Sequence, residues 1–207
     1  MFDQMTENTK IYLSAQELQL VSDREWILTK CKITKGVFSL FGSLSVDMKG
    51  FLTSDREWLP LEVISSSPKI NKGENYLSLP YVILDYPRIF NKTNVFVIRT
   101  MFWWGNFFSV TLHLDGIYKH QFEKTILKNI QLLQDNLYIC VHENQWHHYF
   151  KEDNFVAVKE KTASELKKII THSSFIKIAK QFPLREWNTI ENHLNNAFEE
   201  LIMVLKP

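Results

Sequence analysis

The sequence predicts an α+β fold, in which a mainly antiparallel sheet of four to six strands is covered by a long N-terminal helix and two C-terminal helices. Three observations carry this expectation. Apolar residues recur at steps of three and four over residues 14–52 and again over 162–205, while residues 60–160 are dominated by short runs of β-branched and aromatic residues bounded by turn formers. Helices flanking a strand-rich middle argue for one α+β domain over residues 1–207.

The first helical signal is Ser14-Ala15-Gln16-Glu17, a capping box whose Ser and Glu satisfy each other's free backbone donors. A second box is expected at Ser22 to Glu25, opening a helix of about seven turns whose stripe runs through Trp26, Lys30, Ile33, Val37, Leu40 or Phe41, Leu44, Met48 and Phe51. Gly36 and Gly42 sit inside it and suggest a close approach or a bend near Gly42. Ser22 to Trp26 recurs as Ser54 to Trp58, and Arg185-Glu186-Trp187 echoes its end. With only thin flanking similarity, this reads as repeated helix-start chemistry rather than an ancestral duplication, and Pro60 stops the second copy. Residues 65–73 form a small-residue, Pro and Gly loop. Strands are expected at Tyr76 to Tyr86, Val95 to Trp104, Phe107 to Leu114, Leu137 to His142 and Phe155 to Val158, with a helix at Gln121 to Gln134. Thr162 and Glu165 cap a helix to Gln181, and the last helix covers Arg185 to Leu205.

Gly105-Asn106 between Trp104 and Phe107 suits a two-residue type II′ hairpin. Opposing residue numbers then sum to 211. This register places Val95, Val97, Arg99, Met101 and Trp103 with Phe108, Val110, Leu112 and Leu114 on a core face. Phe96, Ile98, Thr100, Phe102 and Trp104 share the other face with Phe107, Ser109, Thr111, His113 and Asp115. A lone guanidinium on a core face needs a partner, and Asp85 is the nearest carboxylate an antiparallel neighbour could deliver. The alternatives for Arg99 are this ion pair, a stem that packs while the head reaches solvent, or reception of an anionic ligand together with Arg88. His113 and Asp115 stand about 7 Å apart along one strand, too far for an unaided acid–base dyad.

The chain carries 24 Lys and Arg against 23 Asp and Glu, so no global field draws it to nucleic acid or an anionic membrane. Residues 1–10 hold charges and no apolar run, and the longest uncharged apolar stretch, Thr100 to Leu114, is too short to span a bilayer. Two cysteines, Cys31 and Cys140, point to a cytoplasmic protein without a disulfide framework. Cys140, His142, His147 and His148 resemble a metal set, but the His spacing is not that of the helical zinc motif, so no metal and no cofactor is expected. No phosphate loop, dinucleotide turn or serine elbow occurs. The leading expectation is a non-catalytic binding or assembly module, with Trp103, Trp104, Phe107 and Phe108 at the hairpin tip anchoring a homodimer or a protein partner. The alternative is a small-molecule pocket or enzyme in which Tyr86, Arg88, Arg99, Thr111, His113 and Asp115 hold an anionic ligand.

Overall fold

A computed structural model of the chain describes residues 12–54, 56–133 and 135–207; the reading of residues 1–10, Asp55 within the repeat and the Gln134 end of the predicted helix lie outside them. The chain divides into two compact units, residues 1–36 and 37–207.

In the first unit, α1 (Ala15–Ser22) is closed by the Ser14/Glu17 capping box. The second cap differs from expectation. Asp23, not Ser22, accepts from the Trp26 amide (2.9 Å) at the start of α2 (Arg24–Leu52), because a carboxylate one residue nearer the first turn reaches the free donors. α2 runs unbroken through Gly42, where an added Cβ would meet nothing within 4 Å, so this glycine serves no close approach. Its burial begins at Val37 and follows Phe41, Leu44, Met48 and Leu52.

In the second unit, α2 packs on α6 (Ile190–Met203) through Phe51 and Phe198 and an Asn195–Asp47 hydrogen bond. The repeated Ser-Asp-Arg-Glu-Trp words have no common structure: one opens α2, Trp58 sits in the turn before α3 (Leu61–Ile64), and Arg185-Glu186-Trp187 lies in a 3₁₀ segment. Among the described residues the sheet has seven strands: β1 (Lys69–Tyr76), β2 (Leu79–Phe90), β3 (Val95–Trp103), β4 (Phe107–Asp115), β5 (Tyr138–Cys140), β6 (Phe155–Ala157) and β7 (Phe175–Pro183). Their order is β1-β2-β3-β4-β7-β5-β6, antiparallel at every junction. α4 (Ile117–Asn129) links β4 to β5 and α5 (Ala163–His172) links β6 to β7.

Two of the seven strands were not among the five positions expected. β1 occupies the predicted loop, where Lys69 to Gly73 pairs as an exposed edge of polar residues. β7 replaces the second half of the helix predicted to reach Gln181. Phe175, Ile178, Ala179 and Phe182 fit helical spacing, but Ser173-Ser174 ends α5 and Ile176, Ile178 and Lys180 alternate with Phe175, Lys177 and Ala179 across a strand buried on both faces. The last helix begins as a 3₁₀ turn, Leu184–Thr189, and becomes α-helical at Ile190.

The hairpin register also differs. The Asn106 amide donates to the Trp103 carbonyl (3.1 Å) and Gly105 has φ +70°, so the loop holds three residues, Trp104 to Asn106, with Gly at the third position of a type II-like turn. Opposing numbers therefore sum to 210, with Trp103 opposite Phe107 and Arg99 opposite Thr111. One residue of slip exchanges one strand's faces relative to the other. Phe96, Phe102 and Phe108 face the helices, meeting Tyr118, Phe122 and Trp187. Arg99 shares the opposite face with Ser109, Thr111, His113 and Asp115.

Candidate functional site

The face carrying Arg99 is covered by residues 141–154, the connection between β5 and β6, which crosses the sheet as a strap. Irregular connections of this length inside a compact unit are uncommon and are associated with function. Aromatic packing seats the strap: Phe150 stacks on Phe155 at 4.6 Å and meets Phe107 and Tyr138 edge-on. At its end, the fully buried Asn154 donates to the Tyr149 carbonyl and accepts from the Cys140 thiol.

Polar contacts do the rest. Arg99 makes a bidentate pair with Asp85 (2.7 and 2.8 Å) and donates from Nη1 to His148 Nε2 at 3.0 Å. His113 Nε2 donates to Gln145 Oε1 (2.6 Å), and Gln145 Nε2 donates to Asp115 Oδ2 (3.2 Å), so a strap residue bridges the gap that kept His113 and Asp115 from forming a dyad. The His148 amide donates to Tyr76 Oη at 2.6 Å. Lys177, 1% exposed, donates to the carbonyls of Gln145 and His147 and lies over the Phe155 ring.

The electrostatics follow from burial with too little negative charge. Desolvation, helped by Lys177, pushes His113 down to about 3 and His148 well below the usual imidazole range, so both are neutral acceptors or donors near pH 7. Desolvation also lowers Lys177 to about 8. Burial pushes the Cys140 thiol up, which disfavours a nucleophilic thiolate. Because Lys177 binds its proton less tightly folded than unfolded, stability rises with pH from about 8 towards the lysine reference of 10.5. Urea unfolding at pH 7.5 and 9.5 reads this, and Lys177→Met abolishes the increment.

Of the six residues expected to hold an anion, Arg99, Thr111, His113 and Asp115 lie together on the strap face. Arg88 stands opposite Val97 beyond a bulge and forms no hydrogen bond with them; its Nε is buried without a partner. Tyr86 lies in the bulge, fully buried, its hydroxyl unpaired. The hairpin tip does not present an aromatic anchor. Trp103, Phe107 and Phe108 are buried against Tyr76, Phe150 and Trp187, and Trp104, half-buried in the turn, packs on Phe102. Among the described residues, both faces of the hairpin are covered, one by the strap and one by Trp187.

Sequence reasoning missed Lys177, because its strand was read as helix, and Gln145 and Tyr76, because nothing local ties a loop to a distant strand; His148 was read only within a metal set, and its contact with Arg99 was not foreseen. Among the described residues no group of three or more His, Cys, Asp or Glu could hold a metal ion, and no helix is long and apolar enough to cross a membrane.

A second surface stands out in the first unit. None of residues 12–36 is buried, although they include Tyr12, Leu13, Leu18, Leu20, Val21, Trp26, Ile27 and Leu28, each at least 44% exposed. The sequence stripe through Trp26 and Ile33 was expected to face the sheet; only its continuation from Val37 is buried. No family model, no curated protein and no solved structure matches the chain.

Proposed function

We propose that the protein is a non-catalytic assembly module that pairs with a second copy of itself through residues 12–36. The observation that carries this reading is the complete lack of burial in a helical segment rich in large apolar side chains. An eight-residue helix is marginal in water on propensity and capping alone, and apolar faces of this extent mark association surfaces. Charge favours a second copy as the occupant. Residues 12–25 carry Glu17, Asp23 and Glu25 against Arg24, and residues 26–36 carry Lys30, Lys32 and Lys35, so a two-fold, antiparallel partner sets each net-acidic end against a basic end.

The strap face supports the non-catalytic half of the reading. Arg99 is neutralised by Asp85, and His113 at about 3 is too weak a base for proton transfer near neutrality. Lys177 is shifted towards neutrality but has both carbonyl contacts and 1% exposure between it and any substrate.

Sedimentation equilibrium of the full chain, from about 5 to 200 µM, is expected to show twice the 24.5 kDa chain mass. Leu18→Glu with Ile27→Glu, both exposed and so expected to leave the second unit folded, shifts the midpoint of association at least tenfold. A wild-type monomer over the whole range overturns the proposal, as does a dimer indifferent to both substitutions. A monomer that sediments with anionic phospholipid vesicles assigns the surface to a membrane instead.

A further inference from the structure

A cavity of about 200 Å³ lies beside Arg99, lined by Tyr76, Tyr81, Ile83, Met101, Trp146 and His148. Three features of it point to one class of ligand. The first is size and shape. An apolar cavity of about 150 Å³ accommodates benzene, so this one has room for a single ring with a small substituent, between aromatic walls that favour edge or offset contact with a planar guest. Trp146 is 48% exposed at this position, a large apolar ring without full cover.

The second feature is the donor set. Asp85 and His148 engage three of the five N–H groups of Arg99, leaving two directed elsewhere. Tyr76 Oη accepts from the His148 amide, which leaves its own O–H free to donate. The third is a buried ammonium with no carboxylate in contact. Among the described residues, Asp85 answers Arg99, but no carboxylate answers Lys177, whose ammonium is met only by carbonyls and a ring. Its positive field extends over His148 and Arg99. Asp115 lies on the same face but is engaged by Gln145 and the Gly116 amide, so among the described residues no carboxylate touches the Lys177 ammonium, and an anion in the cavity beside Arg99 adds negative charge to that face.

We infer that the cavity binds a small aromatic carboxylate, its ring between Tyr76, Tyr81 and Trp146 and its carboxylate on the remaining Arg99 N–H groups and the Tyr76 hydroxyl. The site is independent of the association surface. Because residues 141–154 supply both Trp146 and His148, ligand and strap bind the same face cooperatively, and occupancy tightens the strap.

Benzoate is the probe, titrated into the full chain by calorimetry and by tryptophan fluorescence, with benzamide and acetate as controls. The expected result is saturable binding of one benzoate per chain, with benzamide and acetate each at least tenfold weaker, and protection of the strap amides from hydrogen exchange. Met101→Phe fills the cavity and abolishes binding. If that variant fails to fold, Tyr81→Trp, at a half-buried position, fills it from the opposite wall. The inference is overturned by a lack of saturation up to about 20 mM, by benzamide binding as well as benzoate, or by binding unaffected in a folded cavity-filling variant.

Discussion

Asp85→Asn lowers the unfolding free energy by about 3 kcal/mol, the lower end of what removing one partner of a buried pair costs, because the Arg99 side chain keeps 18% of its exposure. The loss comes chiefly from what is left behind. Arg99 then has no carboxylate in contact with it on a face that also holds the buried Lys177, and the bidentate geometry has no neutral substitute. Replacing both partners with apolar residues, Asp85→Leu with Arg99→Met, is expected to cost less than the single change, since it removes one buried positive charge and its counterion together. The residual cost is that of His148 Nε2 losing its donor, about 1 kcal/mol. Urea unfolding of the three proteins decides it. A double variant less stable than Asp85→Asn would mean that the pair is not held by charge compensation.

This pair shows what the sequence could reveal. Asp85 and Arg99 were readable together because β2 and β3 are adjacent, antiparallel and joined by a short turn, so local spacing gave the partner even under a wrong register further along. The same locality explains the hairpin error. A two-residue and a three-residue loop differ by one position, and Trp-Gly-Asn satisfies either, with only the φ of Gly105 and the Asn106 amide deciding it. That single slip separated Arg99 from His113 on paper, whereas the folded sheet sets Arg99 opposite Thr111 with His113 on the same face. β7 was lost for a different reason. Phe175, Ile178, Ala179 and Phe182 satisfy a helical period, and a strand buried on both faces has no polar alternation to betray it. With β7 went Lys177, the buried ammonium that anchors the strap carbonyls of Gln145 and His147. The lack of burial in residues 12–36 was invisible too, because amphipathic spacing identifies an apolar stripe and not what lies against it.

Acid weakens this protein well above the carboxylate range. His113 takes up its proton near pH 6.5 when unfolded but only at about 3 when folded, because burial and the Lys177 charge oppose a third positive group on that face. The unfolded state therefore binds more protons across that window, and stability falls as pH drops from 6.5 towards 3. At pH 5 the His113 contribution alone amounts to about 2 kcal/mol, at 1.36 kcal/mol for each pH unit below 6.5, and His148 acts in the same direction. Most carboxylates titrate below pH 5, so the interval from 6.5 to 5 isolates the imidazoles. His113→Gln keeps a donor within reach of Gln145 while removing the titration. Between pH 7.5 and 5 the variant is expected to lose about 2 kcal/mol less than the wild type. Parallel pH profiles for the two proteins would show that His113 is protonated in the folded state, and with it that the strap face is wet and that Lys177 does not set its potential. The same measurement with benzoate present then separates charge from burial. An anion at Arg99 lessens the positive field and so lessens the loss of stability of the wild type on acidification, and in His113→Gln it does so through His148 alone.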